Sequence, residues 1–180
     1  MARNTLSRSL HDVGLAAWFG GTLANAVALN AAAAEAGDAQ SVGDVANAGW
    51  DRWTPVNAVA IGAHLIGSVG QLRGNRDRLK NQQGVATMST VKSVLTIAAL
   101  GVTGYSRVLG QKTSAGRAPS SSGTKPSKKT SADAASAQLQ LDKLQWVIPA
   151  LTGALVVVSS FAGEQQRPAS VLEGLTARKS

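Results

Sequence analysis

The stretch RWTPVNAVAIGAHLIGSVGQLRGNR, from Arg52 to Arg76, sets one histidine, His64, inside a run without formal charge from Trp53 to Leu72. The fold turns on whether His64 is the core of a soluble bundle, a cofactor ligand, or a polar group facing another helix inside a membrane. The run matches the roughly 20 residues with which a helix crosses a bilayer. Three other stretches share its character. Asp12–Ala34 and Leu144–Gly163 carry no charge inside their ends. Met88–Gly110 carries only Lys92 and Arg107, each close enough to an end for its long stem to reach the interface. A soluble bundle needs a charged outer face on every helix, which three of these four segments lack, and a membrane barrel needs two-residue alternation, which none of them shows.

The expected fold class is therefore all-α: a four-helix transmembrane bundle of up-down topology spanning residues 1–164, with helices over about 10–34, 53–72, 88–110 and 143–163. Pro55 is expected in a first turn, and Pro149 inside a helix that absorbs a kink. The Ser-, Gly-, Pro- and Lys-rich stretch over 111–138 reads as a flexible basic linker, and residues 165–180 as a polar C-terminal tail.

Charge orients the bundle. The first loop carries Glu35, Asp38, Asp44 and Asp51 against Arg52, whereas the second carries Arg73, Arg76, Arg78 and Lys80 against Asp77, and Arg3 and Arg8 precede the first helix. Basic ends stay cytoplasmic, which predicts a multi-pass protein of the cell membrane with both termini inside. Trp50, Trp53, Trp146 and Tyr105 then fall toward the outer interface, where amphipathic rings are favoured. The basic linker lies on the outer side, against the rule. The N-terminal segment resembles a secretory signal, but its apolar run is longer than a signal core, so an uncleaved first helix is expected.

Polar residues within the apolar segments form a stripe. His11, Trp18 and Asn25 recur at seven-residue spacing in the first segment, and Asn57, His64 and Gln71 in the second. Seven residues is nearly two turns, so each trio shares a helix face. An antiparallel hairpin with Asn25 opposite Asn57, Trp18 opposite His64 and His11 opposite Gln71 satisfies all three pairings in one register. Lipid cannot satisfy an amide or imidazole, so these faces are expected to meet, helped by small residues that let backbones approach. Gly101 and Gly104 are expected to serve another close helix contact. In this register His11 stands about 10 Å from His64 along the axis, which disfavours a bis-histidine cofactor clamp. His11 and Asp12, adjacent on a helix, are expected to point apart.

The 180-residue chain carries 18 Lys+Arg against 10 Asp+Glu, a formal +8, and no cysteine, which excludes thiol catalysis, disulfides and thiolate metal sites. No catalytic residue, metal site or cofactor is assigned, and the chain is expected not to be an enzyme. The expected function is a packing or interaction partner in the cell envelope. The expected partners are the lipid bilayer and a homo-oligomer or larger envelope membrane complex, with anionic lipid or polymer as a candidate for the basic linker. The alternative is a small transporter or redox or cofactor-binding membrane protein using an intramembrane polar site around His64. A soluble nucleic-acid binder is disfavoured by the apolar segments.

The motifs LHDVGLAAWFGGTLANAVALNAAA, NAGWDRWTPVN and GAHLIG resemble those of a group of small actinobacterial integral membrane proteins. The resemblance covers most of the chain outside the linker and tail. It implies a four-span membrane fold and assigns no functional residue. The pattern WFGG is more loosely similar to copper-resistance-type four-helix membrane proteins, a likeness that implies fold alone, because the metal-ligand pattern of such proteins is absent here.

Overall fold

The structure, a computed structural model, describes residues 4–164 together with Arg167 and Val171. The chain is mostly helical. Helix α1 (Thr5–Ala24) continues through a π-helical turn, Asn25–Leu29, into α2 (Asn30–Ala34). Gly37, at positive φ, reverses the chain, and Asp38 caps the next helix by accepting hydrogen bonds from the Gln40 and Ser41 amides. That helix, α3 (Ala39–Gly74), is followed by the short α4 (Arg76–Asn81), then α5 (Val85–Ala115), a hairpin of β1 (Ser120–Ser122) and β2 (Lys125–Pro126), and α6 (Ala132–Glu164). The tail expected over 165–180 lies almost wholly outside the described residues.

Three helical runs, Thr5–Ala34, Val85–Ala115 and Ala132–Glu164, are long and apolar enough to cross a membrane. The long helix α3 does not join them on hydropathy, since Asn57, His64, Ser68 and Gln71 interrupt its apolar stretch. Every long helix extends past its expected limits, because those limits were drawn where charge begins and a helix outside the apolar zone tolerates charge. Pro55 consequently lies well inside α3 rather than in a first turn, where Thr54 Oγ1 donates to the Trp50 carbonyl at 2.9 Å.

The main pairings are α1 with α3 and α5 with α6, and α1 also packs on α6. Trp18, Ala99 and Ile148 form the buried centre, with Ile61 against it, so all four long helices meet there. The α1–α3 contact is made by backbones. A Cβ at Gly14 would strike the Ala60 carbonyl and the His64 backbone, and one at Gly67 would strike the backbones of His11 and Ser7. Gly74 lies against Asn4 at one end and Gly49 against Leu29 at the other, so α3 accompanies the first helical run for about 37 Å.

This register corrects the expected one. His11 lies beside His64 and Gly67 rather than Gln71, a displacement of about 8 Å along the axis. The pairing of polar side chains yields to the positions where glycine permits close backbone approach. Gly101 and Gly104 do not supply an internal contact either: a Cβ at either position meets nothing within 4 Å.

The segment expected as a flexible linker is built into the fold. Its first part continues α5, its last part begins α6, and the hairpin between them caps the bundle. Ala118, Ser120 and Thr124 are buried. The Ala118 carbonyl sits over Gly43, Gln138 donates to Pro119 O and Ser120 Oγ at 3.1 and 2.7 Å, and Thr124 Oγ1 donates to Asp142 at 2.8 Å. Arg117 bridges to Asp44 at 2.6 Å and holds that carboxyl below its ordinary range. Serines and threonines that read as solvated spacer instead bond within the cap, as Ser121, Ser127 and Thr130 do, or to α6, as Ser120 and Thr124 do.

Gly14→Ala and Gly67→Ala should each force α1 from α3 and destabilise the fold by about 1–3 kcal/mol, the usual cost of overpacking. Gly62→Ala, where a Cβ meets nothing, should be near neutral. Thermal unfolding of the three variants in one detergent checks the contrast.

Candidate functional site

Two sites occupy the middle and the capped end of the bundle. The first centres on His64, fully buried with Trp18, and on His11, which is 1 % exposed. The His11 and His64 rings lie 4.5 Å apart, tilted by 45°, and Trp18 meets His64 edge-on at 6.1 Å. His64 Nδ1 donates to the His11 carbonyl at 3.3 Å. His11 Nδ1 donates to Asp12 Oδ1 at 2.7 Å, which corrects the expectation that these neighbours point apart: the exposed carboxylate folds back onto the ring.

His11 and His64 thus share a depth that the sequence register denied them. They still do not form a clamp for a metal between opposed rings, which needs centroids about 6 Å apart when metal–nitrogen bonds are near 2 Å. Among the described residues no group of three or more His, Asp or Glu could hold a metal ion.

The stripe residues are distributed as follows. Trp18, His11 and His64 form one cluster, and Asn57 is buried nearer the capped end. Asn25 opens the π-helical turn and Gln71 lies toward the opposite end, both half-buried. Each of the six retains a buried polar atom without a hydrogen-bond partner among the described residues.

The second site is a cavity of about 210 Å³ between α1, α3, α5 and α6, beneath the hairpin. Thr22, Trp50, Trp53, Asn57, Thr103, Ser106, Gln138 and Gln145 contribute to its wall. Its only formal charges, Asp51 and Arg107, pair with each other at 2.6 Å and are partly exposed, which places them at the rim. Five of these residues each keep a fully buried polar atom without a partner among the described residues: Trp53 Nε1, Asn57 Oδ1, Thr103 Oγ1, Ser106 Oγ and Gln138 Oε1. They belong to three helices that sequence spacing alone does not relate.

Asn30 organises the capped end beside this cavity. Its Nδ2 donates to Gln145 Oε1 at 2.6 Å, and its Oδ1 accepts from Trp50 Nε1 at 3.1 Å. The π-helical turn just before it resets the helical phase and so decides the direction in which Asn30 points. Sequence reasoning missed Asn30, Gln138 and Gln145. The signal for Asn30 was an amide at the end of an apolar run; Gln138 and Gln145 were hidden by the reading of their surroundings as linker or helix end.

A further cavity of about 480 Å³ lies at the opposite end, between α3, α4 and α5, with Lys92 and Arg78 in a mainly apolar wall. Arg78 is engaged with Gln82 at 2.9 Å.

Truncating His64 removes a ring that touches His11 and Trp18. His64→Ala should destabilise the folded protein by about 2–4 kcal/mol, in line with other large-to-small core changes. The unfolding midpoint in detergent reads this loss, and an unchanged midpoint would remove His64 from the packed core.

The chain matches no family model, no curated protein and no solved structure, so the two sites are interpreted from their own residues.

Proposed function

We propose that this chain is a multi-pass protein of the cell membrane, with four helices crossing the bilayer and no enzymatic activity, that acts by packing against a second membrane protein or another copy of itself. The observation that carries this reading is the outward face of α5. Val94, Ile97, Gly101, Gly104 and Val108 fall on one stripe at helical spacing and are exposed. Small residues flanked by β-branched ones are the pattern by which helices associate in lipid. The added Cβ at Gly101 or Gly104 meets nothing in this chain; the notch is open to a neighbour at Gly101, and Gly104 borders the rim of the capped cavity.

Four spans are supported by the α1–α3 pairing. A helix that accompanies the first helical run for its whole length shares its depth, and α3 carries no charge between Arg52 and Arg73. Large apolar side chains are exposed on every long helix, among them Val13, Val59, Ile66, Ile97 and Val157. In water such a surface is unfavourable, whereas in lipid it is the ordinary exterior. The resemblance to small actinobacterial four-span proteins points the same way. The basic N-terminus and the Arg73–Lys80 loop favour a cytoplasmic position for both termini.

Because the chain has no cysteine, single introduced cysteines report topology cleanly. Gly37→Cys and Ser131→Cys should react with a membrane-impermeant maleimide on intact cells, and Asn81→Cys only after lysis; labelling of all three in intact cells would refute the arrangement.

Association is tested at the notch. In a mild detergent the wild type should migrate as a complex larger than the monomer, and Gly101→Leu should shift it to monomer with an unchanged unfolding midpoint. A wild type that is already monomeric in native membranes, by cross-linking, would end this reading.

A further inference from the structure

We infer that the cavity at the end opposite the cap binds one anionic phospholipid, with its phosphodiester at Lys92 and Arg78 and part of an acyl chain in the seam between α3 and α5. The inference rests on the membrane reading proposed above and not on association. The seam follows from the packing: α3 packs chiefly on α1 and α5 on α6, so α3 and α5 meet only sparsely. Between them and α4 lies a cavity of about 480 Å³, walled mainly by apolar side chains such as Leu65, Val69, Leu72, Ile97 and Leu100. Val69, Leu72 and Ile97 are also exposed on the outside of the bundle, so the cavity opens sideways, where a membrane bundle meets lipid. A hydrocarbon chain lying in such a gap supplies dispersion contacts that its lining otherwise lacks.

Charge sets the class. Among the described residues the only formally charged members of the wall are Lys92 and Arg78, and both are positive. Lys92 is half-buried, and no described carboxylate forms an ion pair with it. Asp12 lies near enough to act on its charge, but that carboxylate receives His11 Nδ1, and Arg8 adds positive charge from α1. An ammonium held beside apolar surface without a paired counter-charge is costly in a membrane, and an anion that meets it offsets the cost. The same end carries Arg73, Arg76 and Lys80 against Asp77, a basic collar of the kind that draws anionic headgroups.

A soluble phosphate would meet the cations and leave the apolar seam unfilled. A neutral lipid would fill the seam and leave Lys92 without a counter-charge. A second copy of the chain, in a symmetric contact, would bring the same cations against themselves. An anionic phospholipid answers both parts of the wall, since its phosphodiester oxygens accept from an ammonium and a guanidinium together.

The test uses the full chain, stripped of co-purifying lipid in a nonionic detergent. Native mass spectrometry with dioleoyl phosphatidylglycerol should show one saturable adduct per chain. Its affinity should exceed that of dioleoyl phosphatidylcholine about tenfold, the worth of one charge-assisted contact. Glycerol phosphate should neither bind nor compete at millimolar concentration. Ile97 belongs both to this wall and to the stripe on α5, so the titration is repeated with Gly101→Leu. Binding retained there separates the site from association; binding lost would place it between copies and overturn its assignment to one chain.

Lys92→Gln should lower phosphatidylglycerol affinity about tenfold, to the level of phosphatidylcholine, whereas Lys92→Arg should retain it. Arg73→Gln, at the same end but outside the wall, should leave it unchanged. Without lipid the wild type and Lys92→Gln should unfold at the same midpoint, and phosphatidylglycerol should raise that of the wild type alone. Equal affinity for the two phospholipids would overturn the anionic class, and equal affinity for oleate would overturn the phosphodiester. An equal loss in Arg73→Gln would overturn the location, leaving diffuse attraction to the collar. A chain that is extracted only by detergent yet binds no lipid would overturn this inference and leave the membrane reading standing; recovery in the soluble fraction would overturn both.

Discussion

The close approach of α1 to α3 at Gly14 and Gly67 governs much of the structure. At both positions a backbone occupies the space where any other residue would place its Cβ. That contact aligns the helices at one depth, and everything buried between them follows from it. His11 reaches the level of His64 because Gly67 admits the His11 backbone. Trp18 is left at the centre of the bundle, where α5 and α6 close over it through Ala99 and Ile148. Van der Waals fit between the backbones at these two glycines sets the register of α1 against α3.

The same constraint explains the distribution of polar groups. At Gly14 and Gly67 the backbones of α1 and α3 touch, and the histidines there are packed against each other and Trp18. Toward the other end, Trp50 and Trp53 are large, the π-helical turn changes the phase of the first helix, and the helices stand far enough apart to enclose a cavity. The hairpin closes that end. Gly123 sits where a Cβ would strike Asn30, and the Asn30 amide ties the roof and Trp50 to Gln145 on α6. A run of serines and threonines is suited to this task because short hydroxyl side chains reach nearby backbone and amide groups without filling the space beneath them.

The charge at this end is also arranged by contact. Arg117 pairs with Asp44 and Arg107 with Asp51. Both acids belong to the stretch that separates the first two apolar segments. The acidic loop and the basic linker are complementary surfaces of one cap, and Lys125, Lys128 and Lys129 remain exposed on it.

Hydropathy and charge spacing were enough to identify an all-helical chain with long apolar segments, because these properties are summed over many residues and survive errors of a few positions. The seven-residue spacing of His11, Trp18, Asn57 and His64 likewise identified faces that become buried, since burial follows helical phase. Register was not legible: polar pairing and glycine-mediated approach favour solutions about 8 Å apart, and only the packed backbones choose between them. Nor could local composition reveal that residues 116–131 form a cap, because a serine-rich stretch is a spacer or a roof according to what lies across from it. The sequence by itself determined the helices and their inward faces; the depth at which those faces meet, and the cavity between them, were decided by tertiary contacts between residues far apart in the chain.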